Sequence, residues 1–131
     1  PVLINVPIAK HHSLARLSLG LKNLLGTVAR ANQIHSNLGQ RVADLASVIR
    51  PTLTVVDAVR ILMDHGPTGG SLNDVRQADT VIASHDFVAA DARAAGFFDL
   101  GADDVPFIRA AAQMGLGRVD LDGLRVEELN V

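Results

Sequence analysis

Apolar residues fall into short runs separated by polar turns. Val2, Leu3, Ile4 and Val6 form the first run, and Pro7 closes it, because proline has no N–H to give a central ladder. Such a run is expected of a parallel-sheet strand covered on both faces. A polar turn carrying Lys10, His11 and His12 follows. Ser13 is placed to cap a helix in which Leu14, Leu17, Leu21, Leu24 and Leu25 recur at helical spacing, with Gly26 as its C-terminal cap.

Residues 27–40 have no clean period and read as a loop holding His35. Val42, Leu45, Val48 and Ile49 mark a short helix that ends at Arg50-Pro51. Leu53, Val55 and Val56 predict a second strand finishing at Asp57, with a helical stretch over 58–63. The HGPTGGSLND segment, residues 65–74, reads as a connecting loop or as a weak anion-binding nest. A third strand covers Thr80 to Ala83, and an alanine-rich helix follows from Phe87 to Ala95, capped by Ser84 or Asp86. Asp91 shares that helix's apolar face and needs a partner, for which backbone N–H of a neighbouring loop is the simplest choice. Asp103, Asp104 and Pro106 start a last helix, and Leu124, Val126 and Leu129 read as a final strand.

Strands alternating with helices predict an α/β layered fold with a largely parallel sheet flanked by helices. Residues 1–131 read as one α/β domain, without repeat or linker. Because the chain opens at Pro1 directly before a strand, it is expected to be an incomplete piece of a larger domain.

Composition narrows the function. Nearly half of the 131 residues are apolar and the net charge is −2, so a folded core is expected and disorder is not. Without a Lys/Arg cluster or aromatic surface, nucleic acid is a poor partner. Cysteine is absent, so the chain itself holds no disulfide, thiolate metal site or iron–sulfur cluster. No apolar run reaches membrane-spanning length and no signal peptide is visible, so no membrane partner and a cytoplasmic address are expected.

The candidate chemistry lies where strands end and helices begin, the usual ligand crevice of open α/β sheets. Lys10 and Lys22 can hold a carboxylate or phosphate, Asn23 can orient it, and His12 can move a proton as the catalytic group. Asp57, at the expected strand end, would point into the same crevice. Each also has a plain reading: solvated histidines, a lysine complementing a helix dipole, an aspartate capping a helix. His12, His35 and Asp57 could alternatively ligate a metal, although no HExxH-type spacing supports it.

Several motifs in order resemble the family known as domain of unknown function 362. They are Pro7-x-x-Lys10-x-His12, Leu21-Lys22-Asn23-Leu24-Leu25-Gly26, Pro51-x-Leu53-Thr54-Val55-Val56-Asp57, Gly66-Pro67-x-Gly69, Ser84-x-Asp86-x-Val88-Ala89-x-Asp91 and Gly115-Leu116-Gly117. The resemblance spans nearly all of this chain and the C-terminal part of the family's domain. It departs at Phe87, where proline is usual, and at His11, where threonine is common. It implies a redox setting, since similar members often carry a ferredoxin module with two [4Fe–4S] clusters. Those clusters would sit on a fused or partner module, because this chain has no cysteine. The resemblance implies no catalytic residues.

Three functions follow from these readings: an enzyme-like or redox-partnered domain binding a small anion, a His/Asp metal site, or a non-catalytic module docking a ferredoxin or the upstream half of the same protein.

Overall fold

The computed structural model describes residues 1–34 and 36–131. Five strands form one sheet: β1 (Ile4–Asn5), β2 (Ile8–His12), β3 (Arg16–Ser18), β4 (Leu53–Leu62) and β5 (Val75–Ser84). Four α-helices accompany them: α1 (Gly20–Asn23), α2 (Leu38–Val48), α3 (Phe87–Ala95) and α4 (Pro106–Gln113). This is the layered α/β fold that the alternation of elements implies. The long strand β4 is its centre. β1 and β2 pair with it in parallel, β5 pairs with it antiparallel, and β3 folds back antiparallel on β2.

The opening of the chain departs from the expected strand, turn and long helix. Lys10, His11 and His12 lie within β2, and the turn comes after them. His12 closes that turn. Its Nδ1 accepts from the backbone N–H groups of Leu14 and Ala15, both at 3.1 Å. These bonds close the turn at residues 13–15. Arg16 then adopts a left-handed φ of 67° and the chain returns as β3. Ala15, Leu17, Leu19 and Leu21 are buried at a period of two, whereas Leu14 is exposed. The leucines thus fit two periods at once, and the β period prevails as far as Leu19. Helix α1 is one turn long, and its continuation through Gly26 is 3-10.

The second strand does not stop at Asp57; β4 runs on to Leu62 in place of the expected helix. Its pairing with β5 shifts register between Ala58 and Arg60, opposite Asp79 at a φ of 47°. Thr54, Val56, Ala58 and Ile61 are the buried positions. The shift turns a period of two into a step of three, which in sequence imitates a helix. The third strand is likewise longer than expected, starting at Val75. The final strand is absent: residues 124–131 hold no helix or strand.

Helix α3 spans the expected residues. Asp86 caps it, its Oδ1 accepting from Val88 N–H at 3.0 Å and Ala89 N–H at 2.9 Å. Alanines at 89, 90, 94 and 95 are buried and let the helix lie close to β4 and β5. Pro106 opens α4 and Gly115 follows it with a left-handed φ of 70°. Phe107 and Ile108 of α4, Val42 of α2 and Val88 of α3 join Leu17, Leu19, Val56 and Ile61 in one core.

That core lies on one face of the sheet. On the other, Ile4, Val6, Ile8 and Val81 are exposed, which corrects the expectation that the first strand is covered on both sides. Along β4, Thr54, Val56 and Ala58 are buried between half-buried or exposed neighbours, and along β5 half-buried Ala78, Thr80, Ile82 and Ser84 alternate with exposed residues, the signature of a sheet covered on one face.

Candidate functional site

Three side chains hold α1 in place, and through it the candidate site. Asp91 of α3 is fully buried, and its two oxygens accept from the backbone N–H groups of Gly20 and Leu21, each at 2.8 Å. These are donors with no partner inside the helix, so the carboxyl serves as a cap supplied from another element. This is the backbone partner expected for Asp91. Burial pushes its pKa up to about 7, against the two N–H groups, which pull it down. Gly20 has no room for a side chain: a Cβ there would lie 2.8 Å from Asp91 Oδ1 and 3.0 Å from Thr54 Cγ2.

Asn5, buried in β1, ties both ends of α1. Its Nδ2 donates to the Gly20 carbonyl at 2.8 Å, which fixes the amide's orientation and leaves Oδ1 as an acceptor. Asn23 Nδ2 donates to that Oδ1 at 2.7 Å. Nothing in the periodicity singled out Asn5. Its signal was being the polar residue within the Leu-Ile-Asn-Val run.

Beside this network lies a hollow of about 360 Å³, bordered by β2, β3, α1 and the 65–70 loop. That size suits a small molecule. Lys10, Lys22, Asn23 and Ser18 are its polar members, and Val6, Pro7, Ile8, Leu19, Leu25 and Pro67 form apolar wall. Among the described residues no acidic one lines it. Lys10 and Lys22 are also the chain's two lysines, and among the described residues no ion pair holds either. Burial lowers the Lys22 pKa from its ordinary value, and the charge on Lys10 lowers it further. Ser18, missed in the sequence reading, is nine-tenths buried and its Oγ has no hydrogen-bond partner.

The 65–70 loop is pinned to β2. His11 Nδ1 accepts from Gly66 N–H at 3.0 Å, and a Cβ on Gly66 would collide with the His11 carbonyl oxygen. The loop therefore presents Pro67 to the hollow as a wall. The N–H groups of Gly66, Ser71 and Asn73 are taken by His11, Asp74 and Ser71 respectively. Those bonds hold the connecting loop together.

Of the candidate site residues, the structure brings Lys10, Lys22 and Asn23 together. His12 and Asp57 do not line the hollow. His12 is buried in the β2–β3 turn with its Nδ1 lone pair engaged by two N–H groups, so the ring's proton belongs on Nε2. Asp57 sits mid-strand in β4, where its Oδ1 accepts from Val59 N–H at 3.0 Å beside the register shift. The alternative metal set also included His35, which lies outside the described residues. Among the described residues no group of three or more His, Asp or Glu is arranged to hold a metal. No helix among them is long and apolar enough to cross a membrane.

Comparison with known proteins agrees with the resemblance in sequence. Residues 1–96 match the model of the family described as domain of unknown function (DUF362), and the chain belongs to that family. It is 27% identical over 124 residues to thylakoid-associated protein sll1697 of Synechocystis. That match covers 88% of this chain and 38% of the relative. No solved structure matches the chain.

Proposed function

From that membership, and from the meeting of two lysines in one hollow, we propose that this domain binds a small anionic ligand, a carboxylate or phosphate, between β2 and α1. Lys10 and Lys22 carry the reading: both lysines line one small-molecule-sized hollow, and among the described residues no carboxylate lines it. Two cations this close repel each other, and an anion between them removes that cost. Asn23, oriented by Asn5, adds a polar contact at the rim. His12 and Asp57 have no part in this binding.

The wider setting we propose is a redox pathway in which a ferredoxin module or the remainder of a longer protein works beside this domain. Family resemblance alone supports it, as it alone supports clusters on such a module. A cytoplasmic location belongs to the same proposal. A second reading, a docking module, is favoured by the bare apolar sheet face of Ile4, Val6, Ile8 and Val81.

Thermal unfolding with added phosphate, acetate and pyruvate tests the anion reading. A ligand that binds only the folded chain raises the melting temperature by mass action. At least one anion should do so at constant ionic strength, and Lys10→Met with Lys22→Met should abolish the rise. No stabilisation by any of the three, or full stabilisation of the double variant, would remove the anion site and leave the docking reading.

A further inference from the structure

The chain has twelve lysines and arginines, of which ten are arginines. Both lysines line the same hollow. For holding an anion, arginine is the better residue, since its planar fork grips a carboxylate or phosphate through two hydrogen bonds. Lysine offers what arginine cannot: it can shed its proton near neutral pH and attack an electrophile. Where two lysines meet, the charge of one can hold an anion while it favours the neutral amine of the other.

We propose that Lys22 is a nucleophile that forms an imine with the carbonyl carbon of a small 2-oxo acid, while Lys10 holds that acid's carboxylate. This rests on the anion-binding reading above and adds the reacting group and the ligand class. In the step, the neutral Lys22 amine forms a bond to the carbonyl carbon and the C=O π pair moves to oxygen. The two amine protons end on that oxygen, which leaves as water, and a C=N bond remains. No oxidant or reductant is required.

The surroundings suit each part of the step. Burial and the neighbouring Lys10 charge both lower the Lys22 pKa, the combination that activates amine nucleophiles. Buried Leu19 and half-buried Leu25 and Pro67 give the hollow apolar lining on its inner side. Ser18, nine-tenths buried with an unpartnered hydroxyl, is one of the uncharged polar residues that line the hollow, with Asn23. β2 supplies Lys10, β3 Ser18, α1 Lys22 and Asn23, and the loop Pro67, so among the described residues no acidic group lining the hollow opposes loss of the Lys22 proton. Asp91 and Asn5 fix the helix turn that carries Lys22.

Trapping with pyruvate and sodium cyanoborohydride, read by peptide mass mapping, tests this within one molecule. Lys22 should be reductively alkylated about tenfold or more faster than Lys10, and the preference should vanish in urea. Lys10→Met should slow trapping at Lys22 about tenfold. Lys22→Arg should give no adduct in the hollow. Equal labelling of both lysines, or labelling of Lys22 at the unfolded rate, would overturn the proposal. If phosphate stabilises the wild type and trapping is unselective, the imine fails and the anion site stands. If no anion stabilises it, both fail.

Discussion

Replacing Asp91 removes the one side chain that caps α1 and so holds Lys22 in the hollow. The carboxyl is fully buried and bonded to Gly20 N–H and Leu21 N–H, each at 2.8 Å. Asp91→Ala orphans both donors. A buried donor left without a partner costs about 1–3 kcal/mol, so the loss should be about 2–6 kcal/mol. An opposing effect depends on pH. The folded pKa is raised from 3.8 to about 7, so between those values the folded chain holds a proton that the unfolded chain has lost. The contribution is therefore fully present below 3.8 and is lost as pH rises through about 7, by about 4 kcal/mol at 1.36 kcal/mol per pKa unit. The alanine variant has no such group. Urea unfolding at pH 5 and pH 8 should show a large stability gap between wild type and variant that narrows as pH rises. Asp91→Asn keeps one acceptor but turns an NH₂ toward the other N–H, so it should cost about 1–3 kcal/mol at pH 5. A gap that stays constant or widens toward pH 8 would mean that Asp91 is ionised throughout. A gap below about 0.5 kcal/mol at both pH values would mean that the cap does not hold α1.

Other substitutions probe neighbouring parts of the site. Gly20→Ala forces a methyl against Asp91 Oδ1 and Thr54 Cγ2 and should cost about 1–3 kcal/mol in urea unfolding, with weaker anion stabilisation. Lys22→Met should raise the melting temperature while removing the response to anions, because the folded Lys22 pKa lies below 10.5. For the same reason the wild type should gain stability as pH rises through the folded Lys22 value, and the methionine variant should gain less. His12→Ala should destabilise the β2–β3 turn by about 1–3 kcal/mol but leave anion-induced stabilisation intact, since His12 lies outside the hollow. Loss of the anion response in that variant would return His12 to the site.

How legible each region was depended on whether one period ruled it. Helix α3 has a capping Asp86 and an unbroken alanine pattern, and its bounds and the backbone partner of Asp91 followed from sequence alone. The β2–β3 hairpin did not, because Leu17 and Leu21 fit both a helix and the alternation of Ala15, Leu17, Leu19 and Leu21. The chain turns back at Arg16, whose left-handed φ of 67° no propensity of arginine signals. In β4 the register shift after Ala58 imitated a helical step. Lys10, Lys22 and Asn23 were legible as one cluster because β2 and α1 are close in sequence and the hairpin between them brings their ends together. Asp57 was misplaced along with its strand: once β4 runs through it, it is no longer at a strand end.

With two lysines in the chain, selective 13Cε-lysine labelling gives two NMR signals, and Lys22→Arg assigns them. Followed against pH, the Lys22 signal should titrate below 10.5, and saturating phosphate should move its midpoint upward while shifting the Lys10 signal as well. Two signals that titrate together at the ordinary lysine value, unmoved by phosphate, would show that the lysines do not share a hollow and that no anion binds between them.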